Sequence, residues 1–241
     1  MPQIGFDYLR QFEVTDSSLV LRRYMSHWKF SQTVESGTLY FAAAFSFLDE
    51  LEGHHTKLDN DLSDAQLALW GLDSKARAVA SESRAIVAAH NQKAVVISCW
   101  TGGIRESLRM WSEYAQGAEA VAIETTVGDL RRALGSDFLI VSVRYLDFLK
   151  QSIPKEHSLQ PFFFKRRCYD WEQEVRVIAE MEVGKRIESP RLVPIDLQSA
   201  LRGIVISPFA SADYFHTVAS LLETQSLSLP VYDSMLRSDV L

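Results

Sequence analysis

A single α+β domain over residues 1–241, with a mixed β-sheet, flanking helices and a helical insertion at about 55–92, is the fold this sequence predicts. Three observations lead to it. Short apolar runs of strand type, such as AVVISCW at 94–100, recur along the chain. Stretches with helical periodicity fall between them. Neither an internal repeat nor a glycine-rich linker divides the sequence.

The elements follow in order. VLRRYMS, from Val20, is a strand; Ser26 stands where a helix N-cap belongs, Phe30 and Val34 supply an apolar helix face, and Gly37 is its C-terminal cap. TLYFA returns as a strand. From Leu62 to about His90, alanines and apolar residues at three- and four-residue spacing predict helix, broken near Gly71. AVVISCW is apolar enough to be buried on both faces. ESLRMWSEYA is a helix with Leu108, Trp111 and Ala115 along one side. AVAIETT is a strand, VGDLRRAL a helix capped by Thr126, and FLIVSVRYL one further strand. After a loop with Pro154 and Pro161, FFFKRRCYDWEQEVRVIAE makes a helical turn into a strand. RLVPIDL, LRGIVISP, a helix from about Ser211 to Glu223, and LPVYDS close the chain, the last strand–helix–strand fitting a right-handed parallel crossover.

A formal charge of -6 argues against a nucleic-acid backbone or an acidic membrane as the main partner. Two cysteines, Cys99 and Cys168, are too few for a disulfide scaffold and fit a reducing cytosol. With no apolar run near the roughly 18 residues of a membrane span, and no signal-peptide pattern, the expectation is a cytoplasmic protein with no membrane partner. Phosphate-loop, dinucleotide-fingerprint and nucleophile-elbow motifs are missing from the sequence. His54 and His55 are adjacent rather than spaced as helical ligands, so no metal is predicted.

YDWEQEVRVIAE carries the strongest chemical signal. In a strand, Val175, Val177 and Ala179 form a core face and place Glu172, Glu174 and Arg176 together on the other. Two carboxylates at i and i+2 lie about 7 Å apart, within reach of an arginine that holds one ionised while the other works. Lys165, with two arginines after it, stands just upstream. A salt-bridged exposed face explains the same pattern. Arg22, Arg23 and Tyr24 end the first strand, where a sheet can position ligand contacts, or where a solvated end simply packs a ring on the core. Ser98, Trp100, Ser107, Trp111 and Tyr114 are placed to wall a pocket; Leu108 and Trp111 equally fit a core face, and Cys99 reads as a buried thiol.

The series LRRYMS, ESGTLYF, FLDELEG, SCWTGG, MWSEYA, FFFKRRCYDWEQEVRVI and IVISPFAS resembles, over nearly the whole chain, the bacterial family called domain of unknown function 2971. More distantly, the strand–helix–SGTLYF opening and the E-x-E strand are similar to ADP-ribosyltransferase-like domains. That resemblance implies NAD as substrate and an intracellular effector or phage-defence component that modifies a protein or nucleic-acid acceptor. It implies Glu174 as the catalytic glutamate with Glu172 beside it, Arg23 on the phosphates and Ser98 at the nicotinamide ribose. Tyr24, Trp100 or Tyr114 would stack on nicotinamide, Lys165 would complete the cofactor-binding set, and Arg176 would orient a carboxylate. Two other readings stay open: a non-catalytic sensor for a nucleotide or another phosphorylated small molecule, and a metal-dependent phosphodiesterase using Glu172 and Glu174 with Asp49 or Glu52.

Overall fold

The computed structural model describes residues 4–103, 105–180 and 191–237. Helix α1 (Ile4–Leu9) precedes β1 (Val20–Ser26), α2 (His27–Ser36) and β2 (Thr38–Ala43). A hairpin of α3 (Lys57–Leu69) and α4 (Ser74–Ala94) follows, with Gly71 in the left-handed conformation between them. Then come β3 (Val95–Gly102), α5 (Leu108–Tyr114), β4 (Ala120–Thr126), α6 (Val127–Leu134), β5 (Leu139–Ser142) and β6 (Arg144–Leu146). The chain continues through β7 (Phe164–Arg166), β8 (Glu174–Glu180), β9 (Arg191–Pro194), α7 (Leu197–Ala200), β10 (Gly203–Ile206), α8 (Tyr214–Thr224) and β11 (Val231–Asp233).

Local chemistry explains most boundaries. Gly37 ends α2 at φ 61, a backbone conformation that costs glycine nothing. Thr126 Oγ1 accepts the Asp129 N–H and caps α6. Thr56 and Asp59 form a reciprocal capping box at α3. Ser26 has the extended backbone of a cap, but its hydroxyl makes no capping bond.

Nine strands form one mixed sheet, and β3 is its branch point. One edge of β3 pairs with β8 from Val95 to Thr101, and β8 carries β5 on its far side. The other edge is shared: β2 takes Val96 and Ile97, while β1 takes Thr101 and Gly102. The sheet therefore forks at Ser98–Trp100, one arm running β1–β4–β10–β11 and the other β2–β9. β10 and β11 are parallel, joined through α8.

Both faces of this sheet are covered. Leu21, Phe30, Phe41, Trp100, Ile123, Val177 and Val218 belong to the larger core. Ile97, Leu139, Phe162, Phe163 and Ile178 form a second, and Tyr24, Met110, Trp111 and Ala122 a third. Covered faces explain why β3 and β8 are apolar on both sides apart from a few polar residues that must find partners inside. Among the described residues no helix is long and apolar enough to cross a membrane.

Three expectations change. FLIVSVRYL is two strands, because after Val143 N–H bonds the Glu174 carbonyl the chain leaves the sheet and β6 pairs parallel with β7. Leu108 is 45% exposed, since Met110, Trp111 and Ala115 form the inward side of α5 and its neighbouring turn. Glu172 is not in the strand: it ends a 3-10 turn over Arg167–Glu172, and Gln173 at φ 44 turns the chain before β8 begins at Glu174.

Candidate functional site

The carboxylates of the E-x-E segment lie in a buried ionic cluster. Arg176, wholly buried, donates from Nε and Nη2 to Glu174 at 2.8 and 3.1 Å, and from Nη1 and Nη2 to Glu52 at 2.6 and 2.8 Å. Its Nη1 also reaches the Phe162 carbonyl at 2.8 Å. Lys165 Nζ donates to Glu172 at 2.5 Å and to Glu174 at 3.2 Å. The Tyr114 hydroxyl donates to the remaining oxygen of Glu172 at 2.8 Å. Tyr145 accepts the Glu174 backbone N–H at 2.8 Å, fixing the start of β8.

Three carboxylates thus share two cations, and the two glutamates of the motif respond differently. Burial works against the charge on Glu174, but Arg176 and then Lys165 outweigh it and hold its carboxyl at about 2. Burial dominates at Glu172 and raises its pKa against the pull of Lys165. Two adjacent carboxyls whose surroundings push them apart form a polarised pair, one fixed as an anion and one the readier to hold a proton. Tyr114, 40% exposed, connects Glu172 to the surface. Cys99, opposite Arg176 in the ladder, has its thiol pKa pushed up by burial and by Glu174.

The residues picked from sequence divide between the two faces of the sheet. Thr101 lies opposite Glu174, Arg22 opposite Thr101, and Glu124 opposite Arg22, so these four residues make a row across β8, β3, β1 and β4. Tyr24 is on that face, edge-on to Trp111 at 4.7 Å. Arg23, Ser98 and Trp100, one residue out of phase, belong to the other face. Arg23 Nη1 donates to Ser98 Oγ at 3.0 Å, and Trp100 Nε1 to the same oxygen at 3.1 Å. Trp100 is core, only 2% exposed. The structure brings Glu172, Glu174, Lys165, Arg176 and Tyr114 together, and separately Arg23, Ser98 and Trp100.

Arg23 occupies the fork. It donates there to the Ser98 hydroxyl, and burial lowers its pKa against the pull of Cys99 and Tyr40. Lys29, in the first turn of α2, lies close enough for Arg23 to lower its pKa further after burial has done so. Among the described residues no carboxylate makes an ion pair with either cation, whereas Arg22, the neighbour in sequence, is paired to Glu124 at 2.7 Å. Trp28, 55% exposed, and Tyr40, 43% exposed, present aromatic surface from the elements bordering the fork.

Asp49 and Glu52, which would complete a metal-binding carboxylate set with Glu172 and Glu174, pair instead with Arg166 and Arg176. Sequence reasoning chose Arg23 over its neighbour Arg22 and passed over Lys29, Tyr40 and Tyr145. Both faces of VLRRYMS carry apolar residues, so nothing local separates Arg22 from Arg23, and the other three depend on contacts made by separate elements. No family model and no curated protein matches the chain.

Proposed function

We propose that the protein is a nucleotide-binding domain whose fork between β1 and β2 receives the phosphate groups, with Arg23 and Lys29 as their cationic partners. The observation that carries this reading is the pair of neighbouring, part-buried cations without a carboxylate among the described residues. Keeping like charges together away from bulk water is costly, and an incoming phosphate relieves that cost through charge-assisted hydrogen bonds. Arginine is suited to the role because it stays charged under desolvation and offers a planar set of donors. Trp28 and Tyr40 offer stacking faces for a base. The reading is of a cytoplasmic, ligand-responsive domain.

Titration with ADP, NAD and adenosine, followed by calorimetry and thermal unfolding, tests it. ADP or NAD is expected to bind and raise Tm by roughly 2–4 °C for each kcal/mol of linkage. Adenosine is expected to do neither, and Arg23→Gln to abolish the response. No binding of either phosphorylated ligand, or equal binding by Arg23→Gln, would overturn the assignment.

A second reading, NAD-dependent ADP-ribosyl transfer within the 2971-type family, is favoured by the row that places Arg22, Thr101 and Glu174 on one face. An ionised Glu174 would stabilise the positive charge that develops on ribose as nicotinamide leaves. In the present arrangement Arg176 bonds both Glu174 oxygens and Lys165 one of them, so catalysis requires these cations to yield part of their hold. Nicotinamide release from NAD, measured with cell extract as a source of acceptors, should vanish in Glu174→Gln. Its absence in the wild type would remove this reading and leave the binding domain.

A further inference from the structure

A cleft of about 630 Å³ lies between the root of the α3–α4 hairpin and the β6–β7 ribbon, well apart in sequence from the fork residues. Its walls combine two chemistries. Leu51, Phe148 and Leu149 supply apolar surface, of which Leu51 is 39% and Leu149 66% exposed. Lys57, Arg166 and Arg167 supply positive charge. Lys57 is tied to Asp61 at 2.7 Å and Arg166 to Asp49 at 2.7 Å, but the exposed Arg167 makes no ion pair among the described residues. The one acidic residue on the walls, Asp147, is engaged locally: it accepts the Leu149 N–H at 2.9 Å and has Lys150 at 3.7 Å.

We propose that this cleft binds a small organic anion with an apolar body, its charged group on Arg167 and its body against Leu51, Phe148 and Leu149. The volume falls in the range of small-molecule sites, where apolar walls supply most of the contact and a few polar groups set orientation. A neutral apolar ligand would leave the cationic rim unused. Inorganic phosphate would leave the apolar wall wet. A molecule with both parts, such as an aryl or alkyl phosphate or carboxylate, matches both features.

Cys168, an exposed thiol on the cleft wall, provides a direct readout. The full chain is treated with N-ethylmaleimide, and the rate of Cys168 labelling is followed by peptide mass with phenyl phosphate, octanoate, octanamide or inorganic phosphate present. Phenyl phosphate or octanoate is expected to slow labelling several-fold, the better of the two identifying the charged group. Octanamide and inorganic phosphate are expected to protect weakly, and Arg167→Gln, a surface change, to lose the protection. Absence of protection by both organic anions, equal protection by octanamide or by inorganic phosphate, or full protection in Arg167→Gln would each overturn the proposal. Arg23→Gln should leave the labelling unchanged, so this test is separate from that of the fork.

Discussion

Arg176 and Glu52 meet as a two-pronged pair at 2.6 and 2.8 Å, with neither side chain exposed by more than 1%. Glu52 belongs to the segment entering the α3–α4 hairpin, and its backbone carbonyl also accepts Gln92 Nε2 at 2.6 Å from the end of α4. The pair therefore fastens both roots of the hairpin to β8.

Removing one member leaves the other charged and buried. Glu52→Gln is expected to destabilise the protein by about 3–5 kcal/mol in urea unfolding. Arg176→Met with Glu52→Met should cost less than the sum of the single changes, with a coupling of at least about 1 kcal/mol in the double-mutant cycle.

Gly53 makes the same junction sensitive to a single methyl group. At φ +71, a Cβ would stand 2.3 Å from the Phe162 ring. Gly53→Ala combines backbone strain with overpacking and is expected to cost about 2–4 kcal/mol, read as a lower urea midpoint at unchanged slope.

The acid limb of stability should report on Glu174. Its carboxyl is held at about 2 against a usual 4.5, because burial, which raises it, is outweighed by Arg176 and Lys165. The folded state binds this proton more weakly than the unfolded chain, so the contribution is complete above about pH 4.5 and is lost as pH falls toward about 2. It amounts to something on the order of 3 kcal/mol. Glu172 works the other way: with its pKa raised, its share is complete below the usual 4.5 and lost as pH rises through the folded-state value. Thermal unfolding against pH should show a shallower acid decline in Glu174→Gln than in wild type, and no such flattening in Glu172→Gln.

Arg23 should stand in the opposite relation to stability. Because it is part-buried beside Lys29 with no carboxylate ion pair among the described residues, Arg23→Met is expected to raise the stability of the ligand-free protein by about 1 kcal/mol while removing the response to ADP. A fall in ligand-free Tm would show that the Ser98 contact outweighs the cost of the charge.

Local chemistry made much of the fold readable. Gly37, Thr126 and the alanine-rich run each act through their own backbone, so α2, α6 and the helical insertion are where the pattern puts them. Glu172 was misplaced because a strand pattern can be extended backwards by one or two residues without contradiction. Gln173 turning at φ 44 is not written in residue type. The choice between Arg22 and Arg23 was a matter of phase: in a strand, one residue changes the face, and no local feature of LRRY says which arginine faces Glu174. The fork was illegible for a different reason, since two strands sharing one edge of a third is a fact of topology that no segment carries alone.

The branch at β3 also bears on how the chain comes to be folded. β3 pairs with β8, more than seventy positions downstream, and β1 pairs with β4 about a hundred positions on, and among the described residues no neighbours in this sheet are joined by a short hairpin. Such non-local pairing makes assembly slow, because distant segments must be brought together before their contacts reward the ordering. During synthesis the apolar stretch Val95–Gly102 emerges long before Glu174–Glu180 exists to cover its edge. Until then one edge of this strand, the edge that β1 and β2 do not take, has no partner, and an open apolar edge is where a nascent chain is prone to associate with others.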